Sequence, residues 1–113
     1  MRICNSLALA SLFLSATLLP NAAQAGYGAG LVTIPIFMPD GKVFVTPSTP
    51  LTSPAACNTT NRFVIDSTTA GGKSMVAALL MAKAMGSTVF FAGTTFCTLF
   101  QNAEDLTYIQ VTN

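Results

Sequence analysis

Histidine and tryptophan are both missing from this sequence, and charge is scarce: five Lys and Arg stand against four Asp and Glu in 113 residues. Each shortage closes off a class of function. Without imidazole there is no Ser-His-Asp triad, and a cysteine nucleophile lacks its usual base. Of the three cysteines, Cys4 lies in the segment read below as a leader, and the other two would need distant carboxylates to complete a four-ligand zinc site. With no basic cluster to neutralise phosphates, nucleic acid is excluded as a partner, as is a polybasic contact with anionic lipid. The acidic groups are Asp40, Asp66, Glu104 and Asp105. They could supply a carboxylate pair for glycoside hydrolysis. However, Glu104 and Asp105 are adjacent in what reads as a solvated turn, and Asp66 stands at a strand end, placed to cap a helix. The sequence therefore predicts no enzyme, no cofactor and no metal.

Long apolar runs are also lacking. The longest, Leu7 to Leu19, is broken by Ser11, Ser15 and Thr17, and at about 13 residues it falls short of the ~20 that a helix needs to cross a bilayer. Arg2 precedes it, and Pro20-Asn21 and then Ala23-Gln24-Ala25 follow. A basic start, an apolar middle and small residues at the end make up a secretory signal. Cleavage is expected between Ala25 and Gly26, so residues 1–25 are a removed leader and 26–113 one small domain, periplasmic or secreted and without a stable membrane anchor. Cys4 lies ahead of the apolar run rather than at the cut, and leaves with the leader.

The 88 residues that remain of 113 carry Lys42, Arg62, Lys73 and Lys83 against the four carboxylates, for no net charge. A domain this small buries a modest fraction of its surface. Cys57 and Cys97 form an even pair in an oxidising compartment and read as one disulfide. Closing a loop of roughly 40 residues would constrain the unfolded chain by about 3–4 kcal/mol.

Along the chain, Gly26 to Gly30 reads as a flexible lead-in. Leu31 to Phe37 is β-branched and reads as a strand, one that Pro35 confines to an edge or a bulge. Pro39-Asp40-Gly41-Lys42 is a turn, and Val43-Phe44-Val45 completes a hairpin. Pro47, Pro50 and Pro54, spaced among Ser and Thr up to Thr60, mark a long surface loop. Arg62 to Asp66 is a third strand. A helix from about Ala70 to Met85 follows, with N-cap candidates at Ser67, Thr68 and Thr69 and a stop at Gly86. Thr88 to Ala92 and Leu106 to Val111 are the last two strands. The order is β-β-β-α-β-β. Gly71-Gly72-Lys73-Ser74 matches the end of a phosphate loop, but the full pattern needs glycine where Ser67 stands; the segment reads as a helix start.

The helix is apolar almost all the way round, with Lys73 and Lys83 its only charges. Such helices are buried on more than one side. Met75, Ala78, Leu79, Met81 and Ala82 are therefore candidate contacts with a neighbouring subunit in a homo-oligomer. Of the aromatic residues that could stack on sugars, Tyr27, Phe37, Phe44, Phe63, Phe90, Phe91 and Tyr108 fall mostly in strand runs and read as core. Phe96 and Phe100, flanking Cys97, are the expected exposed pair.

Taken together, Cys57, Arg62-Phe63-Val64-Ile65-Asp66, Gly72-Lys73, Ala78-Leu79-Leu80-Met81-Ala82, Gly86-Ser87-Thr88-Val89, Cys97 and Leu106-Thr107-Tyr108-Ile109-Gln110-Val111 resemble a group of small exported proteobacterial proteins. The pattern is similar, more faintly, to the B subunits of AB5 toxins of the subtilase cytotoxin type. The likeness covers roughly residues 57 to 111. It implies an OB-like five-stranded barrel with a helix between its third and fourth strands, five copies in a ring with the helices facing the centre, and an outer surface that binds sialylated glycans. The family's glycan-binding positions have no counterpart here. The expected function is an exported, non-catalytic binding module, with a glycan or protein partner. The alternative is a periplasmic inhibitor that holds another protein through the proline loop or a strand edge.

Overall fold

The computed structural model describes residues 25–112. The expected leader up to Gln24, Cys4 included, lies outside the described residues. The elements are β1 (Tyr27–Gly30), β2 (Ile36–Phe37), β3 (Lys42–Val45), β4 (Phe63–Asp66), α1 (Ala70–Met85), β5 (Thr88–Gly93) and β6 (Glu104–Thr112). They form one six-stranded sheet in the order β1-β5-β6-β4-β3-β2. Every pairing is antiparallel except β4 with β6.

The expected class, mainly β with one helix, is present. The strand count is corrected: six strands, four of them before the helix, in a sheet that is not closed, rather than five in the order β-β-β-α-β-β. Two local causes account for this. The glycine-rich start is a strand, not a lead-in, because Tyr27–Gly30 runs along Val89–Ala92 of β5. Its glycines serve close approach rather than flexibility: a Cβ on Gly30 would meet Ser48 Oγ at 2.8 Å. The run from Leu31 to Phe37 is interrupted at Pro35, which has no N–H to give a ladder, so only Ile36 and Phe37 pair with β3. Between β1 and β2 the chain still touches the segment after β3. Val32 bridges Pro47, Thr33 N–H donates to Thr46 O (3.2 Å) and Ser48 N–H to Leu31 O (3.0 Å).

Side chains on successive strand residues point to opposite faces, and the two faces have different fates. One packs beneath α1: Val43, Val45, Phe63, Ile65, Val89, Phe91 and Leu106 gather around Leu79 and Ala82 of the helix. Phe63 and Phe91 stack there, with centroids 6.0 Å apart. On the other face a smaller cluster of Phe44, Val64 and Ala103 is covered by Leu99 and Phe100.

The helix begins as the sequence indicates. Thr69 Oγ1 accepts from Gly72 N–H at 2.9 Å, satisfying one of the first-turn donors. Gly72 lies so close to Asp66 that an added Cβ would fall 1.8 Å from its carbonyl oxygen. The Gly71-Gly72-Lys73-Ser74 motif is thus a tight strand-to-helix packing, with Lys73 exposed. At the far end Gly86 takes φ +65°, a left-handed stop that costs glycine little.

Cys57 and Cys97 form a disulfide across 40 positions, joining the proline loop to the segment between β5 and β6. Among the described residues no helix is long and apolar enough to cross a membrane.

Candidate functional site

On β5, Val89 and Phe91 face the core, so Phe90 must face the opposite side. Ala92 shares that side, and its cross-strand partners are Tyr27 on β1 and Tyr108 on β6. The register sets Tyr27 and Tyr108 on either side of Ala92, with Phe90 two residues along β5, so the three side chains form a bent row. The rings of Tyr27 and Phe90 lie 6.1 Å apart and those of Phe90 and Tyr108 6.2 Å apart, both tilted. Tyr27 is 44% and Tyr108 52% exposed, whereas Phe90 is half-buried between them. Adjacent strands lie about 4.8 Å apart, so the row spans about 10 Å. It sits on paired backbone, and at its β6 end Tyr108 also lines a groove shared with Met75 and Ala78 of α1.

This corrects the assignment of aromatics. Tyr27, Tyr108 and also Phe37 are surface residues rather than core. Of the pair flanking Cys97, Phe96 is exposed as expected at 61%, but Phe100 is half-buried, its ring edge-on to Phe44 at 4.9 Å. The Arg62 guanidinium lies 4.2 Å from the Phe44 centroid and donates to Asn102 Oδ1 at 3.3 Å. Arginine over an aromatic face is attracted by the ring quadrupole. It closes this half of the outer face and leaves the Tyr27–Phe90–Tyr108 half open.

A second exposed apolar area lies on the helix side. Leu80, Met81 and Met85 of α1 are exposed, as are Ile34, Ile36, Phe37 and Met38 around the first hairpin. Pro35 and Phe37 approach Val76 and Leu80 across a narrow apolar cleft, so hairpin and helix form one neighbouring surface. The expected subunit-contact group divides. Leu79 is 2% and Ala82 0% exposed; both are committed to the chain's own core. Met75 and Ala78 are half-buried and line an open groove of about 300 Å³ beside β6. Met81 faces outward.

Three of the four carboxylates are engaged by residues close in sequence. Asp40 pairs with Lys42 in the hairpin turn; that hydrogen bond and charge hold its pKa below the ordinary value of 3.8. Asp66 accepts from Thr68 Oγ1 (2.6 Å) and Thr68 N–H (2.9 Å), and these bonds lower its pKa from 3.8. Asp105 accepts from the Thr98 hydroxyl and from the N–H groups of Thr98 and Leu99, pinning the loop before β6.

Glu104 departs most from expectation. It is not solvated in a turn but fully buried at the start of β6. Oε2 accepts from Gly26 N–H (2.9 Å) and Thr95 N–H (3.1 Å), and Oε1 from Ala55 N–H (3.0 Å). Space for the carboxylate exists because two neighbours lack side chains. A Cβ on Gly93 would lie 1.8 Å from Oε2, and one on Gly26 2.7 Å from Oε1. Thr95 aims its N–H from φ +80°, a region that costs a β-branched residue on the order of 1–3 kcal/mol. The pattern that could have revealed Glu104 is its place two residues before Leu106, on the inward parity of an alternating strand.

Among the described residues no three His, Cys, Asp or Glu side chains converge as a metal site. Asn58, in the Asn58-Thr59-Thr60 sequon, is buried, which keeps its amide from acting as a glycan acceptor. Compared with known proteins, the chain matches no family model, no curated protein and no solved structure.

Proposed function

We propose that this chain is an exported, non-catalytic binding module whose ligand is a glycan and whose contact surface is the Tyr27–Phe90–Tyr108 row. One observation carries the reading: three aromatic rings cluster on adjacent strands, Tyr27 and Tyr108 level with Ala92 and Phe90 two residues along β5, with both tyrosines about half exposed. Aromatic faces are apolar and carry a negative quadrupole, which suits them to the C–H faces of pyranose rings. A row about 10 Å wide is in the size range of a disaccharide. The tyrosine hydroxyls add donors at its rim.

The reading takes the open six-stranded sheet as a variant of an OB-like barrel, with β1 and β2 counted as two halves of one bent strand. Counted so, the first strand begins beside β5 and ends beside β3, and the order around the sheet is that of a five-stranded barrel. The exposed Leu80, Met81 and Met85 support self-association through the helix, as in a ring. The disulfide supports residence in an oxidising space, periplasmic or extracellular.

A glycan array probed with the protein tests the proposal. Binding to a defined saccharide set, reduced at least tenfold by Tyr108→Ala with unchanged thermal unfolding, supports it; no signal on the array, or binding indifferent to Tyr108→Ala and Tyr27→Ala, defeats it. Sedimentation of the wild type against Met81→Glu tests the helix contact.

A second reading has its own support. Ile34, Ile36, Phe37 and Met38 are all exposed around the tip of the first hairpin, an apolar prominence suited to a cleft on another protein. This is the inhibitor-like alternative. A periplasmic pull-down that loses one partner on Phe37→Ser would favour it.

A further inference from the structure

Among the described residues, every basic side chain is occupied or outside the Glu104 pocket. Lys42 pairs with Asp40, Arg62 lies over Phe44 beside Asn102, Lys83 Nζ donates to the carbonyls of Val32 and Thr33, and Lys73 is exposed on α1. Glu104 is nonetheless fully buried, with three backbone N–H groups on its oxygens. A buried carboxylate without a countercharge is costly even when hydrogen-bonded. One of its three donors is special. Gly26 N, 2.9 Å from Oε2, is the atom that cleavage after Ala25 would turn from an amide into an α-ammonium.

We infer that Glu104 is the receptor for the new N-terminus, so that removal of the leader supplies the missing charge and locks the fold. This rests on the export reading above. In the precursor, Gly26 offers one neutral N–H. Hydrolysis of the Ala25–Gly26 bond by water leaves a carboxylate on Ala25 and an amine on Gly26, which takes up a proton from solvent. The ammonium presents the same hydrogen bond plus a full positive charge to Oε2. Gly26 is buried, and the pair sits where β1, the proline loop, β5 and β6 converge. The amine of any residue larger than glycine would bring a Cβ against Glu104 Oε1 and Pro54 Cα, at 2.7 and 2.9 Å. The chain therefore matches its cut site: glycine follows the cleaved bond because its amine has to enter this pocket. The domain is less stable while it must pass through the membrane unfolded, and gains both the ion pair and the disulfide on the far side.

The test uses the mature protein recovered from the periplasm of an expressing bacterium, with its N-terminus sequenced. An uncut leader refutes the export reading, whereas a periplasmic product with a terminus other than Gly26 leaves export standing and overturns the inference. Given Gly26, the amine is acetylated in the denatured chain at a pH below the lysine pKa and the protein is refolded, which returns Gly26 to the single amide N–H of the precursor and removes the charge. Acetylation is expected to lower Tm by roughly 5–10 °C in the wild type, and to leave Tm nearly unchanged in Glu104→Gln. Equal shifts in the two, or no shift in either, would overturn the inference. Should Glu104→Gln not fold, amine labelling of the wild type decides. The Gly26 amine must react at least tenfold more slowly than exposed Lys73 after allowance for intrinsic basicity; equal reactivity overturns the inference.

Discussion

The two faces of the sheet are built from the same alternating strands yet solve different problems. Under α1, Phe91 and Val89 are sealed among Phe63, Ile65 and Leu79, and their identity is a matter of volume. One residue away in sequence and on the other face, Phe90 shares its surroundings with Tyr27 and Tyr108, where much of each tyrosine ring meets solvent. The outer face is itself divided: Phe44 and Val64 are roofed by Phe100, Leu99 and Arg62, while the tyrosine half has no roof. Apolar residues on a strand do not by themselves indicate a core; what decides is whether a loop or helix returns to cover them. Here the returning loop is tethered by Cys57–Cys97 and reaches only half of the sheet.

That contrast can be broken from either side. The largest effect is expected inside: Phe91→Ala should destabilise the domain by about 3–5 kcal/mol, a large part of the stability of a domain this size, read by urea unfolding. Next comes the tether. Cys57→Ser with Cys97→Ser should cost about 3–4 kcal/mol and lower Tm, with the loop between β5 and β6 losing amide protection first. Replacing Arg62 with alanine should cost about 1–2 kcal/mol by uncovering Phe44, and should raise hydrogen exchange over β3 and β4. On the open half, Tyr108→Ala should change stability by no more than about 0.5 kcal/mol while binding falls at least tenfold; a stability loss like that of Phe91→Ala would mean that the row is packing and not a platform. The smallest effect lies in the turn before α1, where Asp66 binds Thr68 rather than capping the helix as its place at the strand end suggests. The Asp66 pKa is lowered from 3.8 by Thr68, so its stabilisation is complete above that value and fades as pH falls through the folded-state pKa. Asp66→Asn should flatten only this acid limb, as seen in Tm measured against pH.

Much of the fold could be read from sequence where local chemistry decides it. The helix from Ala70 to Met85 has its hydroxyl cap at Thr69 and its glycine stop at Gly86, and the hairpin at Asp40-Gly41 has its turn residues; these signals are short-range and need no tertiary neighbour. The Cys57–Cys97 link followed from there being two cysteines in the domain. What sequence did not yield depends on tertiary neighbours. Gly26 to Gly30 looks flexible in isolation, and only the approach of Ser48, Leu51 and Glu104 explains its glycines. Glu104 beside Asp105 looks solvated, and only three backbone donors from distant segments explain its burial. The outward aspect of Tyr27 and Tyr108 depends on the absence of a covering element, which no local pattern records.

The bend at Pro35 has a consequence for the two margins of the sheet. Sheets are vulnerable at their margins, where unpaired amides invite a foreign strand. Here one margin is occupied by Thr52, which exchanges two backbone hydrogen bonds with Tyr27. The other is only Ile36 and Phe37, cut short by a residue that cannot donate. A stretch of five residues, Leu31 to Pro35, connects the two margins, so an intruder at either would have to pull on both.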